Sequence, residues 1–189
     1  MQTSLRLLAA ALAALPLAAC RADDTLAPDG SMFVATVQGS VQDSYRGTGQ
    51  FHLLPGEGSR PGLFAITSHD PDGGRTFLLF HEGTEAPLPG IYPLASSAAG
   101  PVRFGAVYTR GQGDAMEGFT ATSGEMQITV STSTRVKGSF RFRGARNCVG
   151  IGSQLSCPPN PLDPAAPSVE VTGSFVAVMG GGLPTLYPF

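Results

Sequence analysis

Apolar residues recur at every second position through most of this chain, in short runs separated by turn chemistry. No window carries the sustained three-to-four spacing of an amphipathic helix. The clearest runs are 125–131, where Met126, Ile128 and Val130 alternate with Glu125, Gln127 and Thr129, and 135–144, where Val136, Gly138, Phe140 and Phe142 alternate with mostly charged positions. The same period predicts further strands over 32–41, 44–54, 63–69, 75–81, 88–94, 102–109, 117–122 and 168–178. Asp70-Pro71-Asp72-Gly73-Gly74 predicts a hairpin, since proline presets one turn dihedral and glycine accepts a positive one. Ser123-Gly124 predicts a second hairpin between 117–122 and 125–131. Phe77-Leu78-Leu79-Phe80 predicts burial on both faces, and Pro89 and Pro93 predict an edge strand, because proline cannot donate to a ladder. The expected fold is all-β: a single-domain antiparallel β-sandwich or barrel-like fold of about nine to ten short strands.

Three strands share a signature: Val37-Gln38-Gly39-Ser40-Val41, Val136-Lys137-Gly138-Ser139-Phe140 and Val171-Thr172-Gly173-Ser174-Phe175. Glycine takes an inward position between apolar neighbours, which predicts a backbone cause such as a bulge or a close approach of two sheets. The unequal spacing makes this recurrent strand chemistry and not a repeat architecture.

The pattern changes at both ends. Residues 1–19 carry one cation, Arg6, and then an apolar run too short to span a bilayer as a helix, the plan of a secretory signal. Residues 20–31 lack any period and read as a tether, whose eleven residues after Cys20 have an r.m.s. reach of about 18 Å. The β domain is expected over 32–179, and Gly180-Gly181-Gly182 opens an apolar tail over 180–189.

The junction Leu17-Ala18-Ala19-Cys20 resembles the lipobox of bacterial lipoproteins: an aliphatic residue, two small residues and the modified cysteine. The resemblance implies cleavage before Cys20 and acylation of Cys20, and Arg21 in place of the aspartate of retained lipoproteins implies the outer membrane, on its periplasmic face or at the cell surface. Each buried methylene contributes about 0.8 kcal/mol, so more than one chain gives stable attachment. A lipobox, a first strand ending in glycine, the segment Gly90-Ile91-Tyr92-Pro93-Leu94 and two late Gly-Ser-Phe strands together resemble an uncharacterised family of bacterial all-β lipoproteins. That resemblance implies fold and location, and it carries no catalytic residues.

Composition narrows the chemistry. With Arg6 removed from the 12 cations, 11 stand against 14 acids, which gives no case for nucleic-acid binding. Once Cys20 is acylated, Cys148 and Cys157 form an even pair in an oxidising compartment, and a disulfide is expected. It closes a ten-residue loop for about 2.7 kcal/mol on the chain-entropy account. A redox pair would need Cys-x-x-Cys, which is absent.

Candidate sites are sparse. Arg135, Lys137, Arg141 and Arg143 share one face of a strand at period two, a possible anion-binding face for phosphate, carboxylate or anionic headgroups; the alternative is a solvated face paired with Glu125 or Glu170. His52, His69 and His81 lie near Asp70, Asp72, Glu82 and Glu85, yet show no metal-ligand spacing. No nucleophile elbow or P-loop is present. The sequence therefore assigns no catalytic residue, no cofactor and no metal. The reading is a lipid-anchored, non-enzymatic binding or structural interaction module of the envelope, partnered by the membrane and by an envelope protein or anionic headgroups. A second reading is a lipocalin-like carrier with an apolar cavity among Phe51, Phe64, Phe80, Phe104, Phe140 and Phe142. A metal-dependent or carboxylate-based hydrolase is a third.

Overall fold

The computed structural model describes residues 27, 29–58, 61–70, 74–95, 103–112, 115–151, 154–156 and 166–181, with 147–151 and 154–156 as backbone only. Eleven strands follow one another: β1 (Met32–Gly39), β2 (Asp43–Gly47), β3 (Gly49–Leu54), β4 (Leu63–His69), β5 (Arg75–Glu82), β6 (Gly90–Ala95), β7 (Phe104–Arg110), β8 (Glu117–Ser131), β9 (Arg135–Ile151), β10 (Gln154–Ser156) and β11 (Ser168–Met179). Among the described residues no α-helix interrupts them.

The hydrogen-bonded order runs through β9, β8, β7, β5, β4, β3 and β11, and β11 pairs back onto β9, so the sheet closes on itself. Closure protects the edges of the ring strands, the recurrent liability of β proteins, while β2 and β10 flank the ring and pair on one side each. Two long strands make the ring possible by sharing an edge between neighbours. On β11, residues 168–178 pair with β9, while the other edge takes β1 at 169–176 and β3 at 177–179. On β8, one edge takes β9 throughout, and the other takes β7 at 117–120 and β6 at 124–128.

Period two then sorts the side chains. Phe33, Phe51, Phe64, Phe77, Phe104, Tyr108, Phe119, Phe142 and Phe175 are almost fully buried inside the ring. Their rings touch in sequence, Tyr108 on Phe77 at 4.7 Å, Phe77 on Phe33 at 5.2 Å and Phe33 on Phe140 at 5.4 Å, so aromatic contact occupies the interior. The outward positions of β1, β8, β9 and β11 are Thr36, Gln38, Gln127, Ser139, Thr172 and similar polar residues. Apolar-in and polar-out is the reverse of a membrane-spanning barrel.

The all-β, single-domain expectation holds. The sheet is mixed and not purely antiparallel, because β3 meets β11 and β6 meets β7 in parallel. Two strands are long, with 15 residues in β8 and 17 in β9. The hairpin expected at Ser123-Gly124 does not exist: β8 runs straight through, absorbing those residues in a register shift between Ala121 and Ser123, with Gly124 at φ +152°. The strand expected over 44–54 instead divides at Thr48, where its pairing passes from β1 to β11 and β4. β4 and β5 pair antiparallel on either side of the expected hairpin, with Asp70 N–H bonded to Arg75 O at 2.9 Å, while residues 71–73 lie outside the described residues. Phe80 points outward and lies over Gly105, so it is not part of the interior proposed for a carrier.

The Gly-Ser-Phe signature has the expected backbone cause and a side-chain cause beside it: a Cβ at Gly138 would collide with the carbonyl oxygen of Gln127 and one at Gly173 with that of Val34. Gly173 lies opposite Phe140 and Gly138 opposite Phe175, so each glycine vacates the space that the facing ring fills. A Cβ at Gly173 would stand 2.5 Å from the Phe140 ring and one at Gly138 2.8 Å from the Phe175 ring. Neither residue has a positive φ. Gly39 differs: its φ of +118° ends β1. Gly173→Ala is predicted to destabilise the fold by about 1–3 kcal/mol through overpacking, read as a lower urea midpoint. Phe140→Leu in that background should restore part of the loss; a neutral Gly173→Ala would contradict the assignment.

Candidate functional site

Strand β9 alternates exposed and buried residues without a break from Arg135 to Phe142, so Arg135, Lys137, Arg141 and Arg143 do share one outward face. Register places their neighbours: Glu125 and Thr172 beside Arg141, Glu170 and Ser123 beside Arg143, Val130 and Val176 beside Lys137, and Val178 beside Arg135. The Arg141–Glu125 pair spans 3.7 Å with both side chains largely in solvent, where such pairs contribute little. Four cations thus meet two carboxylates across the ladder and a third, Asp29, near Arg135, leaving an excess of one positive charge. Beside Arg141 the face dips into an open hollow of about 410 Å³ lined by the hydroxyl-bearing Thr36, Ser44, Tyr45, Thr172 and Ser174 together with Val34, Ala35 and Gly173. Such a surface offers donors to an anion, and it has no nucleophile–base pair.

The far end of the ring holds the densest polar chemistry. Where β2 parts from β4, backbone pairing gives way to side chains. Asp43 Oδ1 accepts from Arg75 Nη1 at 3.1 Å and Oδ2 from the Tyr108 hydroxyl at 2.8 Å. Asp70 Oδ2 accepts from Arg75 Nε at 3.0 Å and Nη2 at 2.9 Å. Ser68 Oγ donates to Thr48 O at 2.7 Å, which leaves the Tyr45 hydroxyl as donor to Ser68 Oγ at 2.9 Å. Arg75 also lies 5.8 Å from the Tyr45 ring centroid. Burial first, then the neighbouring Asp43, pushes the Tyr108 hydroxyl well above its ordinary pKa, so it stays a donor. Next along the same end, Glu117 holds Arg146 at 2.9 Å and Arg110 at 3.5 Å. Every named group has a partner, and this geometry staples the seam of the ring.

The three histidines go to separate partners. His52 Nε2 bonds Thr67 Oγ1 at 3.0 Å on the outer face, His69 Nδ1 bonds Thr76 Oγ1 at 3.1 Å, and His81 Nδ1–H donates to Glu82 O at 2.7 Å inside the ring. No cluster of three His, Cys, Asp or Glu among the described residues is placed to hold a metal. His52 Nδ1 and His81 Nε2 are buried without a hydrogen-bond partner. Burial lowers the pKa of both, and at His81 the carbonyl bond to Glu82 only partly offsets it.

Cys20 and Cys157 lie outside the described residues, and Cys148 is present as backbone on β9. The last described pair between β9 and β10 is Val149 with Ser156, and each cysteine is the next residue in sequence from that pair. No described helix is long and apolar enough to cross a membrane. Neither family models, nor curated proteins, nor solved structures show a match to this chain.

The seam network escaped the sequence reading because Asp43 and Tyr108 stand 65 residues apart and no local pattern joins them. Asp43→Ala should cost about 1–3 kcal/mol, because it strands the Tyr108 hydroxyl and one side of Arg75. Tyr108→Phe should cost less, and double-mutant denaturation separates the two. Because His52 and His81 resist protonation when folded, stability is full above the unfolded histidine pKa of about 6.5 and falls as pH drops below it. His81→Phe is expected to flatten that fall in denaturant titrations across pH 7.5 to 5; an unchanged slope would contradict it.

Proposed function

We propose that this chain is a lipid-anchored envelope protein that acts through the outside of its barrel, without catalysis, as a binding or structural interaction module for an anionic partner. The observation that carries the reading is the exposed cationic row of β9, set among hydroxyl side chains on a face that no described element covers. Two features support it. The described interior is taken up by aromatic contacts, which favours surface recognition over carriage of a ligand inside. The polar clusters that do exist pair among themselves at the seam, as structural groups do. The lipobox at Leu17-Ala18-Ala19-Cys20 supplies the attachment, and a Cys148–Cys157 disulfide in the oxidising envelope would restrain the end of β9.

Two measurements test this. Cys20→Ala should leave the protein unacylated and remove it from the outer-membrane fraction; membrane association that survives the change would sink the anchor. On a sulfated polysaccharide column, replacing Arg135, Lys137, Arg141 and Arg143 with Gln should lower the eluting salt concentration. Unchanged elution would leave the row as a solvated face.

A further inference from the structure

The strands give the barrel two ends of different character. The end described above carries Asp43, Asp70, Arg75, Arg110, Glu117 and Arg146. Following the antiparallel and parallel pairings, the opposite end gathers the start of β1, β6 and β9 and the finish of β8 and β11. Four of the large apolar side chains left in solvent lie on this arc: Leu88 at 76 % and Ile91 at 70 % exposed, with Val130 and Met179 partly exposed. Ile91 points outward, since its neighbours Tyr92 and Leu94 pack on the core, and its cross-strand partner Gln127 also faces solvent. Val130 pairs with Lys137 beyond a bulge, which sets an aliphatic side chain beside a cation.

The chain from Cys20 joins the barrel on this same arc. It reaches β1 at Met32, and on the way Gly30 lies against Arg135, where a Cβ would be 2.9 Å from the guanidinium. Ala27, Gly30 and Ser31 are already joined in a hydrogen-bonded turn with Ser31 buried, so the tether's reach falls below about 18 Å, against roughly 40 Å of strand along β11. A bilayer holding Cys20 is therefore within range of this end and out of range of the seam. Aliphatic side chains next to Arg135 and Lys137 are what an interfacial contact with an anionic leaflet requires. Of the acids of this end, Asp29 is favoured in its charged form first by hydrogen bonding from Ser31 and also by Arg135 nearby, which leaves Lys137 as the cation without a neighbouring acid there, while Glu57, Glu82 and Glu85 follow β3 and β5 or lead to β6.

We infer that this end of the barrel docks on the bilayer surface, with Leu88 and Ile91 entering the interface of an anionic membrane and Arg135 and Lys137 at its headgroups. The inference rests on the lipid anchor at Cys20. It turns the β9 row upright, with Arg141 and Arg143 beyond a Debye length of about 8 Å from the headgroups and free for another partner.

The chain has no tryptophan, so a single introduced one reports its own surroundings. Ile91→Trp and, at the other end of β1, Gln38→Trp are compared in the acylated protein, reconstituted in phosphatidylglycerol-rich vesicles with brominated acyl chains. Ile91→Trp is expected to shift to shorter wavelength and be quenched, and Gln38→Trp to do neither. Adding Arg135→Gln and Lys137→Gln should relieve the quenching, whereas Arg141→Gln and Arg143→Gln should not. Protein that floats with the vesicles while the two reporters emit alike overturns the docking and leaves the anchor standing. If the protein carries no lipid, the anchor reading fails by itself. Soluble protein is then titrated with the same vesicles, and an unquenched Ile91→Trp overturns the docking.

Discussion

Everything in this fold depends on β11 finding two sets of partners at once. Its long antiparallel pairing with β9 closes the sheet, and its other edge is divided between β1 and the parallel strand β3. The closing pair is keyed by reciprocal complementarity: Gly173 beneath Phe140 and Gly138 beneath Phe175, with Ser139 opposite Ser174 between them. A register slip of one residue would expose every inward ring of both strands. A slip of two would set Phe140 against Phe175 or leave both glycines facing each other, so the key selects among registers that the apolar pattern alone allows.

Once the ring is closed, its interior and exterior acquire separate roles. The interior is an aromatic chain running through Phe140, Phe33, Phe77 and Tyr108 to Phe119, and its last hydroxyl group is drawn to Asp43 at the seam. There the ladder fails between β2 and β4, and Arg75 replaces it by joining Asp43 to Asp70. The exterior of β1, β8, β9 and β11 is left mainly to hydroxyls, amides and the β9 cations, with Ile91 and Leu88 exposed beside them. The proposed role follows from this division, since the described chemistry not consumed in holding the ring together lies outside it.

The parts legible in the sequence were those encoded by period two. The faces of β9 and β11, the burial of Phe77 to Leu79 and the shared side of Arg135, Lys137, Arg141 and Arg143 all follow from alternation. What alternation does not encode is where a long strand bends without ending: Ser123-Gly124 has turn chemistry but serves as a bulge, because β9 continues beside it and supplies partners on both sides. Parallel contacts and the Asp43–Tyr108 bond depend on which strands become neighbours, and that is settled by closure and not by local composition. The glycines of the Gly-Ser-Phe strands were visible, but their reason lay on neighbouring strands: the facing rings, and the carbonyls of Gln127 and Val34.

The central claim, a sheet closed through β11, is tested most directly by native-state hydrogen exchange of the β11 backbone. A closed ring predicts that amides directed to β9 and those directed to β1 exchange together, only through global unfolding. Rapid exchange along one edge of β11, with protection confined to the other, would show an open sheet and contradict the account.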